Sequence, residues 1–248
     1  MLLGILGVIV SYIPAVILYF YLRNLRREDA GYRSSCRRLL VRGILCSLAV
    51  ALLALVVNIL WGISGVGQDM PLLKAAIRTF VLAACIEELV KFHVTDKRIR
   101  KDRESVSWLS CIAYGAIVGI GFQMIETVVY LLESNVIQIL VRGFTMGHPS
   151  YGMLMGYFLG KALYTGKRCD RALAFVLPFT LHGLYDFSLA DEFQALNDNL
   201  VFVPFILIFI ELFVLIRFLF LIKKEKKGTK YTKILSQSSE LPAGEVPA

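Results

Sequence analysis

Residues 85–93, Cys85-Ile86-Glu87-Glu88-Leu89-Val90-Lys91-Phe92-His93, set two carboxylates, an ammonium and an imidazole into an otherwise apolar run. A carboxylate at hydrocarbon depth is costly, so an acidic pair inside a membrane span marks a functional site. On a helix Glu87 and Lys91 stand at i,i+4 and Glu88 and Lys91 at i,i+3, both within ion-pair reach. Glu87 and Glu88 point about 100° apart, so only one of them aims squarely at a given point. Pairing of Lys91 with Glu87 leaves Glu88 as the expected reactive carboxylate. The bland alternative is a charged cluster at the cytoplasmic end of a membrane helix, with Lys91 and His93 reaching for water.

Outward from this stretch the composition sets the class. The 248 residues are 57% hydrophobic with a mean hydropathy of +0.66, which points to an all-α, polytopic membrane protein. A net charge of +8 is then explained by basic cytoplasmic loops, with no nucleic-acid partner required. Cys36, Cys46, Cys85, Cys111 and Cys169 are scattered singly with no C-x-x-C spacing, and read as small apolar residues rather than as disulfide or metal sites.

Residues 2–22 form a first apolar span, without the basic n-region and cleavage site of a signal peptide. The Arg-rich loop 23–38 places the amino terminus outside. Further spans are expected at 39–61, about 79–95, 108–132, 136–163, 172–189 and 200–222. The third follows an interfacial turn at 71–78, and the fifth is broken in its middle by Gly143, Gly147, Pro149 and Gly152. Basic loops at 97–103 and 167–171 alternate sides with an acidic one at 191–198, so about seven helices close with the carboxyl terminus in the cytoplasm. Residues 1–222 are read as one transmembrane domain, and 223–248 as a basic, disordered tail. No internal repeat of the secondary-transporter kind is visible.

Two of the three histidines, His148 and His182, fall inside expected spans. Each alone is as readily a satisfied core histidine, but His182 and Asp186 share a helix face at i,i+4, which lets the carboxylate orient the ring. With Glu126 on another span, the interior polar set is Glu87, Glu88, Glu126, His148, His182 and Asp186. Convergence on one hydrated cavity is the economical arrangement, and mixed Glu and His donors suit zinc or direct activation of water. Glu126 stands about 27 Å along its helix from Trp108, so tilt or a later helix start near Ala113 is needed to bring it level with the others.

Glu87-Glu88-x-x-Lys91, Phe122-x-x-x-Glu126, the mid-membrane His148 and His182-x-x-x-Asp186 occur in this order on successive spans. Together they resemble the PrsW family of intramembrane proteases, in the superfamily of the C-a-a-X prenyl proteases, over roughly residues 70–190. Thr127 stands where the family often has Asn, whereas Asp186 follows the PrsW side, since the prenyl-protease branch has Asn there. The resemblance implies a bacterial plasma-membrane endopeptidase acting on membrane-anchored proteins, some relatives cutting anti-sigma factors. It permits two mechanisms. In one, Glu88 or Glu87 activates water while His148 and His182 hold the oxyanion; in the other, His148 and His182 with Glu126 or Asp186 bind zinc. Lys91 and Phe122 are then supporting residues. An ion-coupled transporter using the same groups as a proton relay, or a catalytically inactive scaffold, is the alternative reading of this polar set.

Overall fold

The computed structural model describes residues 2–64, 69–103, 106–133 and 136–226, and every regular element among them is helical. The expected tail therefore lies outside the described residues from 227 onward, while Lys223 to Lys226 end the last helix.

Helix α1 is Leu2–Arg23 and α2 is Ala30–Ser64. Helix α2 starts earlier than its apolar run because Asp29 caps it, its Oδ1 accepting from the Tyr32 N–H at 2.8 Å. At 35 residues it is about 52 Å long, more than a bilayer core requires, so its Arg-rich first turns fall beyond the apolar part.

Helix α3 is unbroken from Pro71 to Lys101: α-helical over Pro71–Ala76, π-helical over Ile77–Cys85, then α-helical over Ile86–Lys101. The turn expected at 71–78 is thus helix. Pro71 sits at its first position, where the missing N–H costs nothing, and Arg78 reaches Glu192 at 3.5 Å. The widened π turns end at Cys85, two residues before Glu87, and such insertions re-aim the side chains that follow.

Helix α4 is Trp108–Glu133. The expected fifth span is two helices, α5 (Val136–Thr145) and α6 (Gly147–Thr165), parted by a single left-handed residue, Met146, at φ 57°. Gly147 and Pro149 open α6 rather than unwinding the chain, since the third position of a helix has no intrahelical partner for its N–H. Helix α6 ends on Gly166 at φ 67°, the left-handed conformation that glycine enters without strain. Helix α7 (Arg168–Ser188), the short α8 (Asp191–Gln194), a 3-10 turn at Asp198–Phe202 and α9 (Val203–Lys226) complete the chain.

Among the described residues, four helices are long and apolar enough to cross a membrane: α1, α2, α4 and α9. In α4, 78% of the apolar stretch is buried within the protein, against 28, 11 and 17% in the others, so α4 is the central helix. Exposed side chains such as Ile17, Leu55 and Phe209 give the outer helices a lipid-facing surface. Helix α6 packs backbone to backbone on α4. A Cβ on Gly115 would meet the Gly152 carbonyl oxygen at 2.0 Å, and one on Gly119 the His148 carbonyl oxygen at 2.2 Å. Small residues in register thus permit the contact that brings His148 against α4.

Candidate active site

Helix α3 presents Glu87, Glu88 and Lys91 within its first turns after the π segment. Lys91 is fully buried, and its Nζ donates to Glu88 Oε1 at 2.8 Å and to Glu87 Oε2 at 3.3 Å. The expected pairing of Lys91 with Glu87 is present, and Glu88 shares the ammonium at the shorter distance. Both spacings permit this because the i+3 and i+4 positions flank one helix face. The same Nζ lies 2.8 Å from His148 Nδ1 and 4.5 Å from the centre of the Phe122 ring, an ion-pair and cation–π arrangement in a dry setting. His93, two residues on, is exposed and outside the cluster.

Helix α7 contributes His182 and Asp186. His182 Nδ1 is 2.9 Å from Glu88 Oε1, and its Nε2 is 3.2 Å from Asp186 Oδ2. The imidazole is therefore held at both nitrogens, by a residue one turn away and by one on another helix. Helix α6 contributes His148, the second residue of that helix rather than part of an unwound stretch. Its Nε2 contacts Glu126 Oε2, and its ring centre is 5.0 Å from that of His182, edge to face. The six interior polar residues and the two supporting ones, Lys91 and Phe122, thus meet in one cluster drawn from four helices.

Glu126 joins without a later helix start, because α4 begins at Trp108. The concern over its height is removed by α6, which also climbs from its Thr165 end: His148 lies about 26 Å up, nearly level with Glu126. Arg142 of α5 holds the other carboxylate oxygen, Nη2 to Glu126 Oε1 at 2.8 Å, with its guanidinium over the Tyr130 ring at 3.7 Å.

Glu126, Arg142, His148, His182, Asp186 and Glu211 line a pocket of about 350 Å³ including its mouth. Glu87 and Glu88 are not on its wall, so the single cavity expected for all six groups holds only four of them. No residue of α3 is among its lining residues, and Glu88 reaches the cluster through Lys91 and His182. One atom of the cluster stands unsatisfied, Glu88 Oε2, buried and with no hydrogen-bond partner among the described residues.

Arg142 and Glu211 were not singled out from sequence. Each is a lone charge in an apolar run, which is itself the signal that finds such residues. Glu211 of α9 is 2% exposed and accepts the Tyr151 hydroxyl through Oε1.

Metal fit rests on the donors. Glu87, His148 and His182 each offer an atom within 4.8 Å of the others, a His, His, carboxylate set of the kind zinc takes. Glu126, expected as the third donor, is instead occupied by Arg142 and His148. The Lys91 ammonium already touches two of these donors, His148 and Glu87, so a cation is accommodated there and a metal ion would compete with it.

A lipid-facing bundle that buries paired carboxylates and imidazoles against one another defines the class of helical membrane proteins with an ionisable site in their interior. Residues 35–215 match the PrsW family of intramembrane metalloproteases, and the chain belongs to that family. It is 29% identical to Protease PrsW of Halalkalibacterium halodurans over 198 residues, 78% of this chain and 86% of that protein. It is also 29% identical to Protease PrsW of Geobacillus kaustophilus over 179 residues, 71% and 75% of the two chains. Identity to Protease PrsW of Oceanobacillus iheyensis is 35% over 117 residues, 46% of this chain and 54%, about half, of that relative. No solved structure matches the chain.

Proposed function

We propose that the chain is an intramembrane endopeptidase of a bacterial plasma membrane, hydrolysing peptide bonds in membrane-anchored regulatory proteins such as anti-sigma factors. The observation that carries this is the buried cluster of Glu88, His148 and His182 on three helices, with Glu88 Oε2 left without a partner. Placing seven spans with the amino terminus outside puts this cluster about 20 to 27 Å above the cytoplasmic helix ends, within the hydrocarbon.

In this reading Glu88 is the base. Lys91 and His182 both hold Oε1, which keeps the carboxylate from swinging away and leaves Oε2 to take a proton from the attacking water. Glu88 takes a proton as the water oxygen attacks the substrate carbonyl carbon. The oxyanion that forms competes with Glu126 and Asp186 for the ring N–H groups of His148 and His182, which these carboxylates hold beside the reacting carbonyl. The proton then passes to the amide nitrogen as the C–N bond breaks, leaving a carboxylic acid and an amine. Asp186 orients His182, and Arg142 orients Glu126, which orients His148. Glu87, His148 and His182 would hold a zinc-type ion, which when bound supplies a Lewis acid that makes water a stronger nucleophile.

The test compares membrane proteomes of cells carrying the native chain and Glu88→Gln at equal expression, scoring new protein termini. A single-span protein whose cleavage product vanishes only in the variant supports the protease; unchanged termini under several stresses overturn it. Cleavage by purified chain with and without a zinc chelator then separates the two mechanisms: loss of activity restored by zinc supports the metal route, and full activity in chelator the metal-free one.

A further inference from the structure

Glu211 is an acid the mechanism above does not use. It stands between Ile210 and Leu212, in a stretch of α9 with no other charge from Val203 to Ile216. A carboxylate so placed is costly unless it is tied to something. Its Oε1 accepts from Tyr151, while its Oε2 has no hydrogen-bond partner among the described residues and faces Gly147, where an added Cβ would come within 3.1 Å. Gly147 and Tyr151 are one turn apart on α6, so the same helix face that omits a side chain to admit the carboxylate supplies the hydroxyl that binds it.

Tyr151 leads from there to the cluster. It is 2% exposed, and its ring stacks on that of His182 with centres 5.4 Å apart and planes at 22°. It also meets His148 edge-on at 6.3 Å. The hydrogen bonds of His182 to Glu88 and Asp186 act on its nitrogens within the ring plane, whereas resistance to tilting out of that plane comes from whatever packs on its faces. Tyr151 is the stacked neighbour on one face, and Glu211 anchors the far end of its ring.

We infer that Tyr151 and Glu211 are positioning residues for His182, the pair setting the plane of the imidazole that receives the reacting oxygen. This rests on the protease reading only for its catalytic consequence, since the ring geometry is measurable without turnover. Offset stacking of this kind and an anchored phenol are each modest alone, but together they select one ring orientation.

The experiment labels histidine with 15N in the full chain in lipid nanodiscs. Three histidines are present, and the His182 signals are assigned by their loss in His182→Asn. Tyr151→Phe keeps the stacked ring and removes the anchor; Glu211→Leu removes the acceptor; Glu211→Gln restores one. Tyr151→Phe and Glu211→Leu are expected to move the His182 signals while those of His93 stay, and to lower kcat about tenfold with KM within about twofold. Glu211→Gln should leave both near native. A purely structural tie between α9 and α6 would reduce the folded fraction yet leave the His182 signals of the folded protein in place, and that result overturns the inference. So does inactive Glu211→Gln beside active Tyr151→Phe, which would make Glu211 act directly. Should the native chain cleave nothing, the protease reading fails, while the His182 signals still decide this point.

Discussion

Lys91 concentrates the energetics of the cluster in one atom. Its ammonium, 1% exposed, is shared among Glu87, Glu88 and His148. Removing one partner of a buried pair leaves an uncompensated charge and costs about 3–5 kcal/mol, whereas removing both leaves none. Lys91→Met should therefore lower the unfolding midpoint in detergent, and the Lys91→Met, Glu88→Gln double variant should recover part of the loss. Equal midpoints for single and double variants would show that the Lys91 to Glu88 contact carries no such coupling. Glu88→Gln alone should fold and lose about a hundredfold or more in cleavage rate, as removal of a general base does. The members of the cluster were legible at this scale because each ionisable side chain stands out in an apolar run. Their partners were not. The i,i+3 and i,i+4 rules pair Lys91 with its own helix and His182 with Asp186, but nothing in the spacing pairs Lys91 with His148 or Arg142 with Glu126.

At the scale of elements, the glycines of α4 decide whether those cross-helix contacts form. Gly119→Ala would place a methyl 2.2 Å from the His148 carbonyl oxygen, so α6 must retreat and carry His148 with it. The expected cost is about 1–3 kcal/mol of stability together with a fall in cleavage. Gly62→Ala, at a position with nothing within 4 Å, should change neither. Thermal unfolding and a cleavage assay on both variants check this, and equal behaviour would remove close packing as the reason for the glycines. Helices α1, α2, α4 and α9 were readable as apolar runs. The start of α3 and the division of the fifth span were not, since a proline or glycine in sequence looks the same whether it breaks a helix or opens one. Here the left-handed Met146 and the first-turn placement of Pro149 resolve that ambiguity. The π-helical turns before Glu87 leave no signature in composition at all.

For the whole molecule, the proposed topology of seven spans with the amino terminus outside would put the connection between α6 and α7 in the cytoplasm. Cys169, the second residue of α7, stands beside this connection and is exposed, while Cys36 and Cys111 are buried. A membrane-impermeant maleimide should thus label the native chain in inside-out vesicles and not in right-side-out ones, with the signal lost in Cys169→Ser; the opposite pattern would invert the topology. The amino-acid sequence by itself determined that the chain is a helical membrane protein and named the ionisable residues of its interior, because burying charge in hydrocarbon is costly enough for each to be conspicuous. Only the tertiary structure decided which of them touch across helices, that Lys91 also meets His148 and that Glu87 offers a donor atom beside both imidazoles. It also decided that Glu211 reaches the site through Tyr151. Those outcomes depend on the approach and relative height of separate helices, which close backbone packing and a single left-handed turn establish and which no periodicity within one helix encodes.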